Sequence, residues 1–254
     1  MEGLKYFFSF DNVVPRQFGT PAFSTRHLTI LFFFLTVYTL LTIAFKDKNE
    51  KVRSRYVLVL AFLLPFFNIV NELWLFLVRH FGVMTELPLQ LCGTMYIVIP
   101  LMVLSRNRIL MEFVYACGMP GAFLAMLTPD TQGYYFVSWG FLIFIVTHSL
   151  IVYVPLFMLI TGEFKPQIRN LYKISGLFSS LIIIDLVVDH LLGSNYLYLL
   201  KPPEGTLLEV FASWVGSPGY IFIAILVVFI VWIALYLPWE LFYRLKQQKT
   251  LGME

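Results

Sequence analysis

The stretch LTILFFFLTVYTLLTIAF, Leu28 to Phe45, runs for 18 residues without a charged side chain. As an α-helix it spans about 27 Å, close to the roughly 30 Å of hydrocarbon in a bilayer. Similar runs recur along the chain, and the composition agrees with them. Of 254 residues, 59% are hydrophobic and 13% charged, against about 25% charged in an ordinary soluble domain. A soluble protein is excluded, and the sequence predicts an all-α, polytopic membrane protein. Spans are expected at Leu28–Phe45, Tyr56–Val78, Leu87–Leu104, Glu112–Leu127, Phe136–Thr161, Ser175–Leu192 and Gly219–Trp239. The third and fourth are short and interrupted by Pro88, Pro100, Gly118, Pro120 and Gly121, which bend helices or free backbone groups that then need partners.

Charge orients the chain. Lys46, Lys48, Lys51, Arg53, Arg55, Arg106, Arg108, Lys165, Arg169, Lys173, Arg244, Lys246 and Lys249 fall on one face, 13 of the 18 basic residues, and Lys5, Arg16, Arg26, Arg79 and Lys201 on the other. Basic loops stay cytoplasmic, so the N-terminus is expected outside and the C-terminus, with a tail at 240–254, inside. The net charge of +3 belongs to these loops, not to a nucleic-acid surface. Residues 1–26 lack the continuous apolar core of a signal peptide. Their aromatics, Tyr6, Phe7, Phe8, Phe10, Phe18 and Phe23, suggest a segment lying at the membrane interface. With no fixed-period repeat and no long linker, residues 1–254 read as one helical domain.

Polar groups inside spans carry the functional signal, since each charged group at mid-bilayer costs about 2.5–3.5 kcal/mol on insertion scales. Asn68, Asn71 and Glu72 fall in the second span, Thr147 and His148 in the fifth, and Asp185, Asp189 and His190 in the sixth. Gln90 and Cys92 open the third. Asp130 in TPDTQGYY, with Asn195, Tyr196 and Tyr198 in GSNYLYL, caps the same outward side, so a polar pocket opening outward is expected. Asp185 and Asp189, four residues apart, share a helix face, and one of the two is expected to be protonated or paired, with His190 as a candidate partner. Cys117, among Ala116, Gly118 and Gly121, reads as a packing residue, because small residues let helices approach closely. Cys92 reads either as packing or as a nucleophile. The two cysteines are too few for a disulfide framework or a Cys-rich zinc site, and no metal or cofactor is expected.

Taken together, PAFSTRHL entering the first span, LPLQLC opening the third, the PD of LTPDTQGYY, the mid-span His148 and the NYLYL after the sixth resemble the YwaF-type bacterial integral membrane proteins. These are relatives of the human transmembrane protein 164 acyltransferase. The resemblance implies cysteine-dependent transfer of a fatty acyl chain between phospholipids in a bacterial plasma membrane. Cys92 and His148 match the essential pair, and a phospholipid or lysophospholipid is the expected partner. Bacterial forms often carry His where this chain has Gln90, which leaves that position only amide hydrogen bonding.

The chemistry is consistent with the pairing. A thiol is only a few per cent thiolate near neutral pH, so a nucleophilic cysteine in apolar surroundings needs a base. Residues near Leu91 and Cys92, or the Asn71 amide, are candidate oxyanion donors, and Glu72 or Asp189 a candidate to orient His148. From span starts alone, His148 lies about 10 Å deeper than Cys92, so the third span has to begin deep. A proton-coupled carrier using Glu72, Asp185 and Asp189 is the rival reading, and a lipid-binding protein without chemistry is the third.

Overall fold

In the computed structural model, residues 5–10, 13–78, 81–129, 133–203 and 206–251 are described. Asp130 lies outside them, so its expected place in the site goes without a structural counterpart. The fold is an all-α membrane bundle. Its helices are α1 (Thr25–Phe45), α2 (Glu50–Leu77), α3 (Leu91–Ser105), α4 (Arg108–Phe113), α5 (Met119–Leu127), α6 (Trp139–Ile160), α7 (Leu171–Leu192), α8 (Leu207–Val215) and α9 (Tyr220–Leu251). A π-helical turn, Val114–Gly118, joins α4 to α5. Among the described residues, six stretches are long and apolar enough to cross a membrane: α1, α2, the joined Arg108–Leu127, α6, Ile168–Leu192 and Tyr220–Lys246.

The third expected span departs from that pattern. α3 has 15 residues, about 22 Å of helix, and starts at Leu91 instead of Leu87. Pro88 therefore sits in the turn before the helix, not in its first turn, and its carbonyl accepts from Thr94 Oγ1 at 3.3 Å. Other boundaries move outward because caps reach beyond the apolar run. Asn49 accepts from the Val52 amide at 3.0 Å and starts α2 at Glu50. Asn107 accepts from the Ile109 and Leu110 amides and starts α4 at Arg108 instead of Glu112. α9 continues as helix from the last span through the expected tail to Leu251.

Packing is organised around α6, whose inward face buries Phe141, Ile145, Ile151, Val154 and Phe157. A ladder of phenols ties α1 and α2 to it. Tyr38 bonds Ser149 at 2.9 Å, Thr42 bonds Tyr153 at 3.2 Å, and Tyr56 bonds Tyr153 at 3.0 Å. The Tyr38 and Tyr153 rings stack at 4.2 Å. Outward faces carry apolar side chains such as Phe32, 70% exposed, and Phe222, 74% exposed, as lipid contact requires.

The π turn is held from α9. Widening the helix frees carbonyls that hydrocarbon cannot satisfy, and Trp232 Nε1 donates to the Ala116 carbonyl at 3.0 Å. Trp239 Nε1 donates to Tyr115 Oη at 3.2 Å, and that hydroxyl donates to the Leu235 carbonyl at 3.0 Å. Gly118 lets α3 approach, since a Cβ there would sit 2.5 Å from Met95 Sδ. One helical turn earlier, Glu112 is fully buried. Its Oε1 accepts from the Gln167 amide and Asn170 Nδ2, each at 2.9 Å, and its Oε2 from Tyr236 Oη at 2.5 Å. Glu112 is thus a tertiary knot joining α4, α9 and the 3₁₀ turn Ile168–Asn170, where the sequence had offered only a span boundary.

Glu112→Ala is expected to lower the stability of the detergent-solubilised protein by about 3 kcal/mol or more, because two buried donors and one partly buried donor lose their acceptor. Glu112→Gln, which retains one acceptor oxygen, is expected to cost less. A thermal melt followed by tryptophan fluorescence reads both.

Candidate functional site

One end of the bundle gathers several of the polar residues singled out from the sequence. The chain there is not helical from 81 to 90, and Tyr196 fixes it. Its Oη donates to the Val83 carbonyl at 2.8 Å and accepts from the Leu87 amide at 3.0 Å. Burial raises the phenol's pKa, with the Leu87 hydrogen bond opposing. Tyr196 is held in turn by Asp189, whose Oδ1 accepts from its amide at 2.7 Å and from Ser194 Oγ at 2.8 Å. Gln90, the N-cap residue of α3, turns its Oε1 to the Leu197 amide at 3.1 Å. Leu197 and Tyr198 have φ of 51° and 55°, a left-handed conformation costly for side chains of that size and sustained only when neighbours enforce it.

These contacts settle several expectations. Asp189 is engaged with its own loop and does not orient His148. Gln90 points its amide oxygen to the 194–198 loop. Asn195 closes that loop on itself, its Oδ1 accepting from the Leu200 and Lys201 amides at 3.0 and 3.1 Å. His190 is exposed, with Nδ1 2.8 Å from the Leu186 carbonyl, and is not the partner of either aspartate. Asn71 accepts from Trp139 Nε1 at 3.1 Å and so braces α2 against α6. Both Asp185 oxygens, one oxygen of Asp189 and one of Glu72 are buried without a hydrogen-bond partner among the described residues.

Cys92 is the second residue of α3, and the α3 N-terminus has no side-chain cap. Its first-turn amides therefore point out of the helix end with the positive end of the helix dipole behind them. Behind this turn the fit is close. A Cβ on Gly93 would lie 3.0 Å from Pro88 Cα and 3.1 Å from its carbonyl carbon, so only glycine lets the Pro88 turn fold against the helix.

His148 sits at mid-length of α6, partly buried. Its Nδ1 is 2.8 Å from the Phe144 carbonyl. A carbonyl only accepts, so Nδ1 carries the proton and Nε2 holds a lone pair. Nε2 has no hydrogen-bond partner among the described residues, and no carboxylate orients the ring. The backbone of the preceding turn does so.

The connection between the two turns is Tyr96, which the sequence reading passed over although it lies one helical turn beyond Cys92, on the same face. Its hydroxyl donates to Thr147 Oγ1 at 3.4 Å, the residue beside His148. The Cys92 thiol and the Glu72 carboxyl both lie within electrostatic reach of that hydroxyl. A tyrosine on a helix leans back toward the helix N-terminus, which carries its hydroxyl toward the Cys92 turn. Counted from the observed helix starts, Cys92 is residue 2 of α3 and His148 residue 10 of α6, so the late start of α3 does not by itself close the depth gap set by the expected spans. Among the described residues, no group of three or more His, Cys, Asp and Glu gathers as metal ligands.

A second imidazole outside the expected site has an evident role. His27, fully buried, accepts from the Phe23 amide on Nδ1 at 3.0 Å and meets the Met126 carbonyl with Nε2 at 2.8 Å. Both nitrogens are spent on packing α1 against α5. The aromatic segment before α1 packs across the same end of the bundle. Phe10 stacks on Trp74 at 5.2 Å, the Trp139 amide donates to the Phe7 carbonyl at 2.6 Å, and Thr20 Oγ1 donates to the Tyr134 carbonyl at 3.0 Å.

Tyr196→Phe is expected to free the 83–90 segment. With the Val83 carbonyl and Leu87 amide unpaired, its amide hydrogens should exchange about tenfold faster or more, while those of α6 stay unchanged. Unchanged exchange over 83–90 would show that the hydroxyl does not hold the entry to α3.

The family model described as the TMEM164 family matches residues 22–236, from the entry of α1 to late in α9. No curated protein and no solved structure matches the chain.

Proposed function

Because this chain belongs to the TMEM164 family, we propose that it is a membrane-embedded acyltransferase that moves a fatty acyl chain between lipids through a thioester on Cys92, with His148 as general base. The observation that carries the reading is the Tyr96–Thr147 contact, which joins α3 one turn beyond Cys92 to the turn of α6 bearing His148. The proposal includes a cytoplasmic C-terminus, from the loop charges, and a bacterial plasma membrane, from the sequence resemblance.

In the first half-reaction His148 Nε2 takes the Cys92 proton and the sulfur attacks the ester carbonyl of a phospholipid. The carbonyl carbon forms a bond to sulfur and loses its bond to the glycerol oxygen, and the departing lysolipid oxygen receives the proton from the His148 imidazolium. The uncapped amides of the first turn of α3 are the nearest donors for the tetrahedral oxyanion. In the second half-reaction His148 takes a proton from the acceptor hydroxyl. That oxygen attacks the thioester, sulfur departs, and the proton returns to it.

The buried, unpartnered oxygens of Asp185 favour a second reading, a proton-coupled carrier in which this carboxyl exchanges a proton. The two readings order the same variants oppositely. In a reconstituted lipid acyl-transfer assay, Cys92→Ala is expected to abolish transfer and His148→Ala to slow it about 10²- to 10⁴-fold, with Asp185→Asn close to wild type. Full activity of Cys92→Ala would end the acyltransferase reading. Loss of transport with Asp185→Asn alone would favour the carrier.

A further inference from the structure

At the opposite end of the bundle from the Cys92 turn lies a cavity of about 680 Å³. The start of α2, the end of α3, the start of α4 and the segment following α6 enclose it. From Cys92 to Val103, which lines it, is about 17 Å along α3, so the cavity is separate from the proposed catalytic pair. Five basic side chains line it, Arg53, Arg55, Arg106, Arg108 and Lys165, against two carboxylates, Glu50 and Glu163, a surplus of three positive charges. The carboxylates are already engaged. Arg53 Nε meets Glu163 at 2.8 Å, and Arg106 meets Glu50 at 3.5 Å. Arg55, Arg108 and Lys165 have no ion pair among the described residues.

Apart from Ser54, the remaining wall is apolar, with Val57, Leu58, Val103, Met111 and Met158. A cationic mouth over an apolar wall matches an amphiphile whose phosphate is fixed by guanidinium groups while the first carbons of its chains lie against hydrocarbon. Inorganic phosphate would use the cations and leave the apolar wall unmatched. The position also fits, because these are the loops that carry most of the chain's basic residues, and basic pockets between membrane helices on the cytoplasmic side recognise anionic headgroups.

We propose that this cavity binds the phosphate headgroup of an anionic phospholipid in the cytoplasmic leaflet, with Arg55, Arg108 and Lys165 as the recognising cations. The site is distinct from the acyl-transfer site and does not depend on the chemistry proposed there.

Native mass spectrometry of the full chain in detergent tests this, titrating phosphatidylglycerol, phosphatidylcholine of the same chains, and inorganic phosphate. Phosphatidylglycerol should bind more tightly than phosphatidylcholine. Lys165→Gln should weaken phosphatidylglycerol about fivefold, and Arg55→Gln with Arg108→Gln about thirtyfold, without affecting phosphatidylcholine. Lys5→Gln, which lowers the net charge at the other end, should bind phosphatidylglycerol as wild type does. Equal affinity for the two lipids in the wild-type protein, a comparison that needs no variant to fold, would overturn the proposal. So would undiminished phosphatidylglycerol binding by the double variant. Inorganic phosphate binding as tightly as phosphatidylglycerol would assign the site to the free anion and overturn the lipid assignment.

Discussion

Backbone amides and carbonyls within hydrocarbon have no water to bond, so every interruption of a helix in this bundle needs a side chain to close it. Among the described residues, two such places are the 81–90 segment that leads into α3 at one end of the bundle and the π turn between α4 and α5. Each interruption is closed from far along the sequence. Tyr196 satisfies Val83 and Leu87, and Trp232 satisfies Ala116. The cost of leaving such groups unpaired, about 1–3 kcal/mol each, is what makes these irregular segments specific in shape and not merely weak points in helices.

The two ends of the bundle thereby acquire different chemistry. At one end the late start of α3 sets a thiol on the first turn of a helix, above a tyrosine that bonds the α6 turn bearing a singly protonated imidazole. The carboxylates gathered there are mostly structural or unpartnered, since Asp189 is spent on Ser194 and Tyr196. At the other end, the ends of α2, α3, α4 and α6 draw apart around a cavity lined with arginine. The same short α3 serves both, with Cys92 near its start and Val103 near its end.

Much of the architecture was legible in the sequence. The span expected at Phe136–Thr161 is α6, and the one ending at Leu192 is α7, because apolar runs in a bilayer translate directly into helix. The start of α2 before Tyr56 was missed because Asn49 extends the helix through charged residues that no hydropathy run includes. The clustering of Gln90, Asp189, Asn195 and Tyr196 at one end followed from counting depth. Their actual partners did not, since a bond such as Gln90 to Leu197 spans 107 positions, and nothing local encodes it. Glu112 escaped notice because a carboxylate near a loop reads as a span end, and only the fold brings Asn170 and Tyr236 to it. Tyr96 escaped because an aromatic in a membrane helix is usually packing. Its spacing of four from Cys92 was the available signal.

The central claim is that Cys92 carries the acyl chain, and the most direct test is the intact mass of the purified protein after incubation with mixed phospholipids, before and after neutral hydroxylamine. The account predicts a fatty-acyl mass increase that hydroxylamine removes and that Cys92→Ala lacks. An adduct of the same size that persists in Cys92→Ala, or that resists hydroxylamine, would contradict it.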